Sequence, residues 1–240
     1  MKERLKSVLA PFMVRVRRGP MKGRRWSPAS GIRFVRGDFK REKVEAMARE
    51  IGPGAVVYDV GAHVGYTAVL AAKRVGPEGL VVAFEPRPLN LRFLRLHLSA
   101  NGVENVQVVT SAVGERSGEA RFDAEKGSGT GRLAEDGTLS VSLVSLDELV
   151  ASGEIPPPDF IKVDVEGGEG VVLEGGREVL ERHRPVLFLA THGLEIRKRC
   201  LDLLEEAGYE WTVLREGANP GESELLVRHP EAPALTPPGR

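Results

Sequence analysis

Residues 56–65 read Val-Val-Tyr-Asp-Val-Gly-Ala-His-Val-Gly, and Glu85 follows twenty residues after Gly65. An apolar run ends in an acid and a glycine-bearing turn. A helix-like stretch then leads to a second apolar run, residues 80–84, which ends in another acid. This succession is how a parallel α/β sheet binds a nucleoside-bearing cofactor: the turn sets helix N-terminal amides beside the ligand, and the second acid reaches the ribose hydroxyls. A dinucleotide site needs Gly-x-Gly-x-x-Gly, with room for a pyrophosphate. Here the pattern is Asp-x-Gly-x-x-x-Gly, with Asp59 beside the turn. A carboxylate there repels pyrophosphate and suits the cationic amino group and sulfonium of S-adenosylmethionine.

Working outward, residues 41–51 read as an amphipathic helix stopped by Gly52-Pro53-Gly54, 55–60 as a first strand and 64–75 as a helix. Strand 80–84, helix 89–100 and strand 106–113 follow. Alternating segments 119–123 and 139–144, joined through the glycine-rich link 127–131, predict a small antiparallel β-hairpin insertion. Ser145 and Glu148 form a capping box for a short helix over 145–150. Strands 160–165 and 186–190 flank a helix around 178–182. A helix over 194–207 leads to a closing pair, 209–215 and 224–228. The alternation predicts an α/β fold, a mostly parallel sheet covered on both faces with an antiparallel finish. The four prolines after residue 229 predict a disordered tail at 230–240.

At 240 residues, with 41% apolar and 28% charged content, the chain suits a soluble globular protein. The lone Cys200 excludes an internal disulfide and fits a reducing, cytoplasmic setting. The short apolar run 8–14 is followed by Arg15, Arg17 and Arg18 without a small-residue cleavage site, which argues against a signal peptide. Arginine outnumbers lysine and Gln107 is the only glutamine, which leans towards a thermophilic or GC-rich source. The net charge is zero but uneven: residues 1–36 hold eleven Lys or Arg against Glu3 alone. A basic arm of this kind, ahead of a domain over 37–229, points to a peripheral anionic contact such as a phosphorylated glycan, a membrane surface or a nucleic acid. The alternative is a strap on the chain's own acidic face. Leu5, Val8, Leu9, Phe12, Met13 and Val16 recur at helical spacing, which allows an interfacial helix that Pro11 interrupts.

Gly61 and Gly65 let the backbone turn and approach a ligand, and Ala62, His63, Tyr66 and Thr67 complete that turn. Pro86 fixes the chain just beyond Glu85. Ser111 and Ala112, at the end of the third strand, are candidates for adenine contacts. The segment Phe160-Ile-Lys-Val-Asp-Val-Glu-Gly-Gly-Glu169 delivers Asp164 and Glu166 to a carboxyl strand end, where ligands bind in open α/β sheets. Alternation puts Lys162, Asp164 and Glu166 on one side, so they face a polar site or pair as a Lys–Asp bridge. His192, ending strand five, is a candidate base for a hydroxyl nucleophile or a packed histidine. No Cys/His cluster for zinc is present and the acids do not define a magnesium site, so no metal is expected.

Asp59-Val-Gly-Ala-His-Val-Gly-Tyr66, Phe84-Glu-Pro86, Ser145-Leu-Asp-Glu148 and Ile161-Lys-Val-Asp-Val-Glu-Gly-Gly-Glu169 resemble the FkbM-type S-adenosylmethionine-dependent methyltransferases. Leu173-Glu-Gly-Gly176 and Arg184-Pro185 continue the pattern, and the resemblance covers roughly residues 37–215. It implies a seven-stranded Rossmann-like class I methyltransferase fold and O-methylation of a hydroxyl on a sugar, polyketide or similar metabolite. It further implies cofactor contacts at Asp59, Gly61, Glu85 and Asp164. Two departures stand out. The family often carries Glu-x-His on strand five, where this chain has Ala190-Thr-His192. His63 stands where the family often has Asn. The missing acid puts a Glu–His pairing in question. On this reading His192 is the base, with Asp164 or Glu166 orienting the substrate. The rival readings are a nucleic-acid methyltransferase, suggested by the basic arm; a cofactor-binding module without catalysis, suggested by Ala190; and a nicotinamide dehydrogenase, which Asp59 argues against.

Overall fold

A computed structural model describes residues 2–37, 41–123, 132–133 and 137–232. The central sheet has seven strands: β1 Val56–Val60, β2 Leu80–Phe84, β3 Val106–Val109, β4 Phe160–Val163, β5 Val186–His192, β6 Glu210–Glu216 and β7 Glu222–Arg228. Their order across the sheet is β6-β7-β5-β4-β1-β2-β3. Neighbours from β5 to β3 are parallel, whereas β7 runs antiparallel to both β5 and β6. The winding reverses between β1 and β4, which opens a crevice at their carboxyl ends. This is the mostly parallel α/β architecture that the strand–helix alternation predicted, with the seven strands that the resemblance implied.

Apart from Asp59 and Lys162, the β1 and β4 strands are apolar on both sides because helices or loops cover both faces. On one face Phe160 and Phe188 pack with Met47, Leu94 and Trp26. On the other, Tyr58, Ile161 and Leu187 pack with Phe84 and Leu204. The buried Tyr58 hydroxyl donates to the Pro156 carbonyl at 2.6 Å, and the Tyr209 hydroxyl to Leu180 at 3.1 Å, so neither phenol is left unsatisfied. Among the described residues no helix is long and apolar enough to cross a membrane.

Several local readings change. The strand expected over 106–113 breaks after Val109. Ala112–Val113 instead pairs in parallel with Leu139–Val144 in a second, four-stranded sheet with Gly118–Asp123 and Arg132–Leu133. The expected hairpin is thus half of a small sheet; its link 127–131 lies outside the described residues. Next, β5 runs two residues past its expected end, because Ala190, Thr191 and His192 pair with Glu224, Ser223 and Glu222 of β7. Finally, a helix over Glu169–Glu174 follows β4, too short for its periodicity to register between two Gly-Gly pairs. The Ser145 hydroxyl caps Leu146–Ala151 as expected, but the Glu148 carboxylate accepts from Ser117 N–H rather than closing the box. In the tail, Glu231 pairs with Arg184 at 2.6 Å, and residues 233–240 lie outside the described set.

Residues 2–37 contain the helix Lys2–Leu9, a two-stranded ribbon of Val14–Arg15 with Arg25–Trp26, and a short helix Ile32–Arg36. Trp26 anchors this segment. Its ring is 0% exposed, stacks on His97 with centroids 3.7 Å apart, and meets Tyr66 edge-on at 5.5 Å. The Ser27 N–H donates to His97 Nε2 at 3.1 Å while His97 Nδ1 lies 2.7 Å from the Val64 carbonyl. An imidazole that accepts at Nε2 must carry its proton on Nδ1, so His97 is held neutral. Arg25 N–H and the Asn101 side chain add a reciprocal pair at 2.9 Å in each direction.

His97 therefore couples the attachment of this segment to pH. Burial lowers its pKa to about 4, against the bond to Val64, which favours the charged form. The folded value lies below the unfolded value of about 6.5. Its contribution is therefore complete above that value and is lost as pH falls from there towards 4. Between about pH 7.5 and about pH 5 the loss is about 2 kcal/mol. Chemical denaturation at both pH values measures it, and His97→Gln is expected to flatten the slope by that amount. An equal slope in the variant would refute this coupling.

Candidate active site

The crevice is a cleft of about 260 Å³ above the carboxyl ends of β1, β2 and β4. Its floor is the turn after β1. Gly61 has φ +80, and a Cβ there would overlap the Asp164 carbonyl, because β1 and β4 converge at this point. Gly65 has φ +87 and packs against Leu94 of the helix Pro88–Ala100, which brings that helix close to the cleft. His63 and Glu166 hold φ values of +53 and +57. Two non-glycine residues thus hold the sparsely populated left-handed region at one cleft.

Glu85 stands at the end of β2, only 5% exposed. Its Oε2 accepts from the His63 N–H at 2.8 Å; its Oε1 accepts from the Arg87 N–H at 2.9 Å and from Asn90 Nδ2 at 3.2 Å. Burial raises its pKa, while these three donors and the Lys162 charge work in the opposite direction. The carboxylate is locked in one orientation at the cleft wall. Gly61, Ala62, His63, Tyr66, Thr67, Glu85, Pro86, Ser111, Ala112, Asp164 and Glu166 all line the cleft, as do Phe34, Lys43, Arg87, Asn90 and Lys162.

Asp59, Gly65 and His192 stand behind this lining. Asp59, read as facing the cofactor's cation, is 0% exposed, and its Oδ1 lies 2.9 Å from Lys162 Nζ. The two residues are register partners on β1 and β4, so their side chains leave the sheet on the same face. A carboxylate buried that deeply needs a cation. Lys162 itself reaches the cleft and donates to the Val60 and Gly61 carbonyls at 3.1 and 2.7 Å. The Lys–Asp bridge read for this strand thus joins Lys162 to Asp59 rather than to Asp164. Asp164 takes its cation from Lys43, at 2.7 Å.

His192 sits at the rim, with its ring reaching back to an acid that sequence reading did not single out. Its Nδ1 lies 2.8 Å from Glu169 Oε1, and Glu169 is 0% exposed. The same oxygen accepts from the Val165 and Gly167 N–H groups at 3.2 and 3.1 Å. Such an acceptor keeps the His192 proton on Nδ1 and leaves Nε2 as the basic atom. That nitrogen lies 3.7 Å from Asp164 Oδ1 and 3.6 Å from Glu166 Oε2, both longer than a hydrogen bond. Burial lowers the His192 pKa, but the bond to Glu169 and the charges of Glu169, Asp164 and Glu166 outweigh it, so the net shift is upward. Asp164, Glu166 and His192 also offer atoms within 4.8 Å of one another, a spacing that a divalent cation could share.

With alanine at position 190, the carboxylate bonded to His192 Nδ1 is that of Glu169. Across the sheet from Ala190 is Glu224, whose carboxylate lies 3.7 Å from Lys43 Nζ. Lys43 was readable in principle: it is a lysine beside Val44 on the buried side of Arg41–Glu50, over the Phe188 ring at 4.8 Å. Glu169 lay in the quoted strand-four segment, but nothing local tied it to His192, 23 residues on.

Residues 59–211 match the profile of the Methyltransferase FkbM domain. The chain is 30% identical over 179 residues to the hexuronic acid methyltransferase AglP of Haloferax volcanii, covering 73% of this chain and 71% of that protein. It is 25% identical over 178 residues to the 2-O-methyltransferase NoeI of Sinorhizobium fredii, covering 65% and 71%. The crystal structure of an FkbM methyltransferase from Methylobacillus flagellatus superposes with a TM-score of 0.52 at 19% identity, over 72% of this chain and 43% of that one. This chain therefore spans less than half of that protein's length. Solved methyltransferases of the same fold include ones holding S-adenosylmethionine or S-adenosylhomocysteine.

Proposed function

The chain belongs to the FkbM methyltransferase family, and from that premise we propose that this S-adenosylmethionine-dependent methyltransferase acts on a hydroxyl group of a sugar. The catalytic unit is taken as residues 37–229, with 1–36 as its arm. The observation that carries the proposal is the Glu169–His192 pair at the rim of the cleft, beside two acids that line it. A sugar hydroxyl is a poor nucleophile until its proton is removed. The names of the hexuronic acid and 2-O relatives support a sugar acceptor and an oxygen nucleophile.

The cleft fits the cofactor. Gly61 leaves room where a Cβ would not fit, and the locked Glu85 carboxylate suits a ribose diol. Ser111 and Ala112 also line the cleft, which supports the reading that they meet the adenine. The acids Asp164 and Glu166 favour a cationic ligand, and Lys162 balances the buried Asp59. When bound, S-adenosylmethionine supplies an electrophilic methyl and departs as S-adenosylhomocysteine. His192 Nε2 would take the proton from the acceptor hydroxyl. Glu169 holds the resulting imidazolium. Asp164 and Glu166 accept hydrogen bonds from neighbouring hydroxyls and orient the ring, an alignment that can lower a barrier by about 7–11 kcal/mol in favourable cases.

Incubation of the purified chain with methyl-labelled cofactor and a panel of hexuronic acids, neutral sugars and RNA tests this reading. Label in a base-stable methyl ether of a sugar is the expected result. A base-labile methyl ester would move the chemistry to a carboxylate, and label in RNA would favour the nucleic-acid reading. Cofactor binding without transfer to any acceptor would favour the non-catalytic module. Calorimetry adds a second check: Glu85→Gln is expected to weaken cofactor affinity by about 10- to 100-fold, the range for hydrogen bonds to a charged acceptor. Unchanged affinity would take the ribose away from Glu85.

A further inference from the structure

The helix Lys2–Leu9 turns an apolar stripe outward. Leu5 is 60% exposed, Val8 74%, Leu9 49%, and Phe12, just beyond the helix, 64%. Leu5, Val8 and Leu9 are three and four apart on the helix, so they share one face, while Ala10 and Val16 are buried against the body. Four large apolar side chains gathered at the surface are more than scattered exposure explains. On the helix, Arg4 and Lys6 lie about 100° to either side of Leu5. Arg17 and Arg36 of the same segment are exposed. Among the described residues these four cations form no ion pair, so the body's acids do not neutralise them.

We propose that this face is a docking surface for an anionic lipid bilayer. Apolar side chains flanked by cations match the boundary between acyl chains and headgroups: the apolar groups enter the hydrocarbon edge, and the long basic side chains stay at the phosphates. A polyanion in water would engage the cations but leave Leu5, Val8 and Phe12 exposed. A second copy of the chain would bury the stripe but bring like charges together. The same segment supplies Phe34 to the cleft wall, so docking holds the cleft near the membrane surface and favours acceptors carried there.

Sedimentation of the full chain with vesicles tests the proposal independently of the methyl-transfer reading. Retention by phosphatidylcholine vesicles containing phosphatidylglycerol, and little by phosphatidylcholine alone, is the expected result. Arg4→Ser and Lys6→Ser should each weaken retention about fivefold, from about 1 kcal/mol per cation near an anionic surface. The triple variant Leu5→Ser, Val8→Ser, Leu9→Ser should abolish it and leave cofactor affinity unchanged, which shows that the domain remains folded. No retention by anionic vesicles, or equal retention by both kinds, overturns the proposal. So does RNA binding that survives the triple variant, which assigns the arm to nucleic acid. A concentration-dependent dimer lost in that variant would assign the stripe to a second copy instead.

Discussion

Replacing His192 with alanine is expected to lower turnover by about 10²- to 10⁴-fold, the range for loss of a general base, while cofactor affinity stays within about twofold. The split follows from placement. His192 stands behind the cleft lining, and its Nε2 faces Asp164 and Glu166. Glu169→Gln refines the test. The base acts only when neutral, and the three surrounding acids raise its pKa, so activity should rise with pH through a value above the usual 6.5 or so. Loss of the Glu169 charge should move that rising limb to lower pH, an effect that a merely structural role would not produce. Activity that vanishes in a chelator and returns with magnesium would instead give Asp164, Glu166 and His192 to a divalent cation. Undiminished turnover in His192→Ala would remove it from the mechanism.

Trp26→Ala is expected to destabilise the protein by about 3–5 kcal/mol, the usual range for truncating a fully buried tryptophan. The indole is closed in by His97, Tyr66 and Phe34, and no single side chain can collapse into the space it would leave. At this chain length the loss corresponds to a fall in melting temperature of about 10 °C. Loosening the segment would also displace Phe34 from the cleft wall, so cofactor affinity should fall with stability. Trp26→Phe should recover much of both. Unaltered melting of the alanine variant would mean that residues 2–37 add nothing to the domain they cover.

Much of the cleft lining was legible in the sequence because its signals are local. An acid two residues before a glycine, a second glycine at the head of a helix and an acid ending the next strand all follow from neighbours along the chain. The mostly parallel sheet needed only the alternation of apolar runs with helical stretches, whereas the order of strands across it is set by the structure. The reading faltered where a side chain's partner is distant. Asp59 read as a ligand contact because its register partner Lys162, 103 positions on, could not be known to point the same way. The position of Ala190 suggested a lost acid because Glu169 belongs to another element.

The sequence alone determined that this chain makes a mostly parallel sheet with a glycine-bearing turn after its first strand, since apolar periodicity and turn chemistry depend on adjacent residues. Only the tertiary structure decided which charges meet: Lys162 with Asp59, Lys43 with Asp164, Glu169 with His192, and Trp26 over His97. Burial makes each of these charges require a partner, but which one it obtains depends on sheet register and on how helices cross the sheet. Those are set by packing across the whole domain, which no short window of sequence contains.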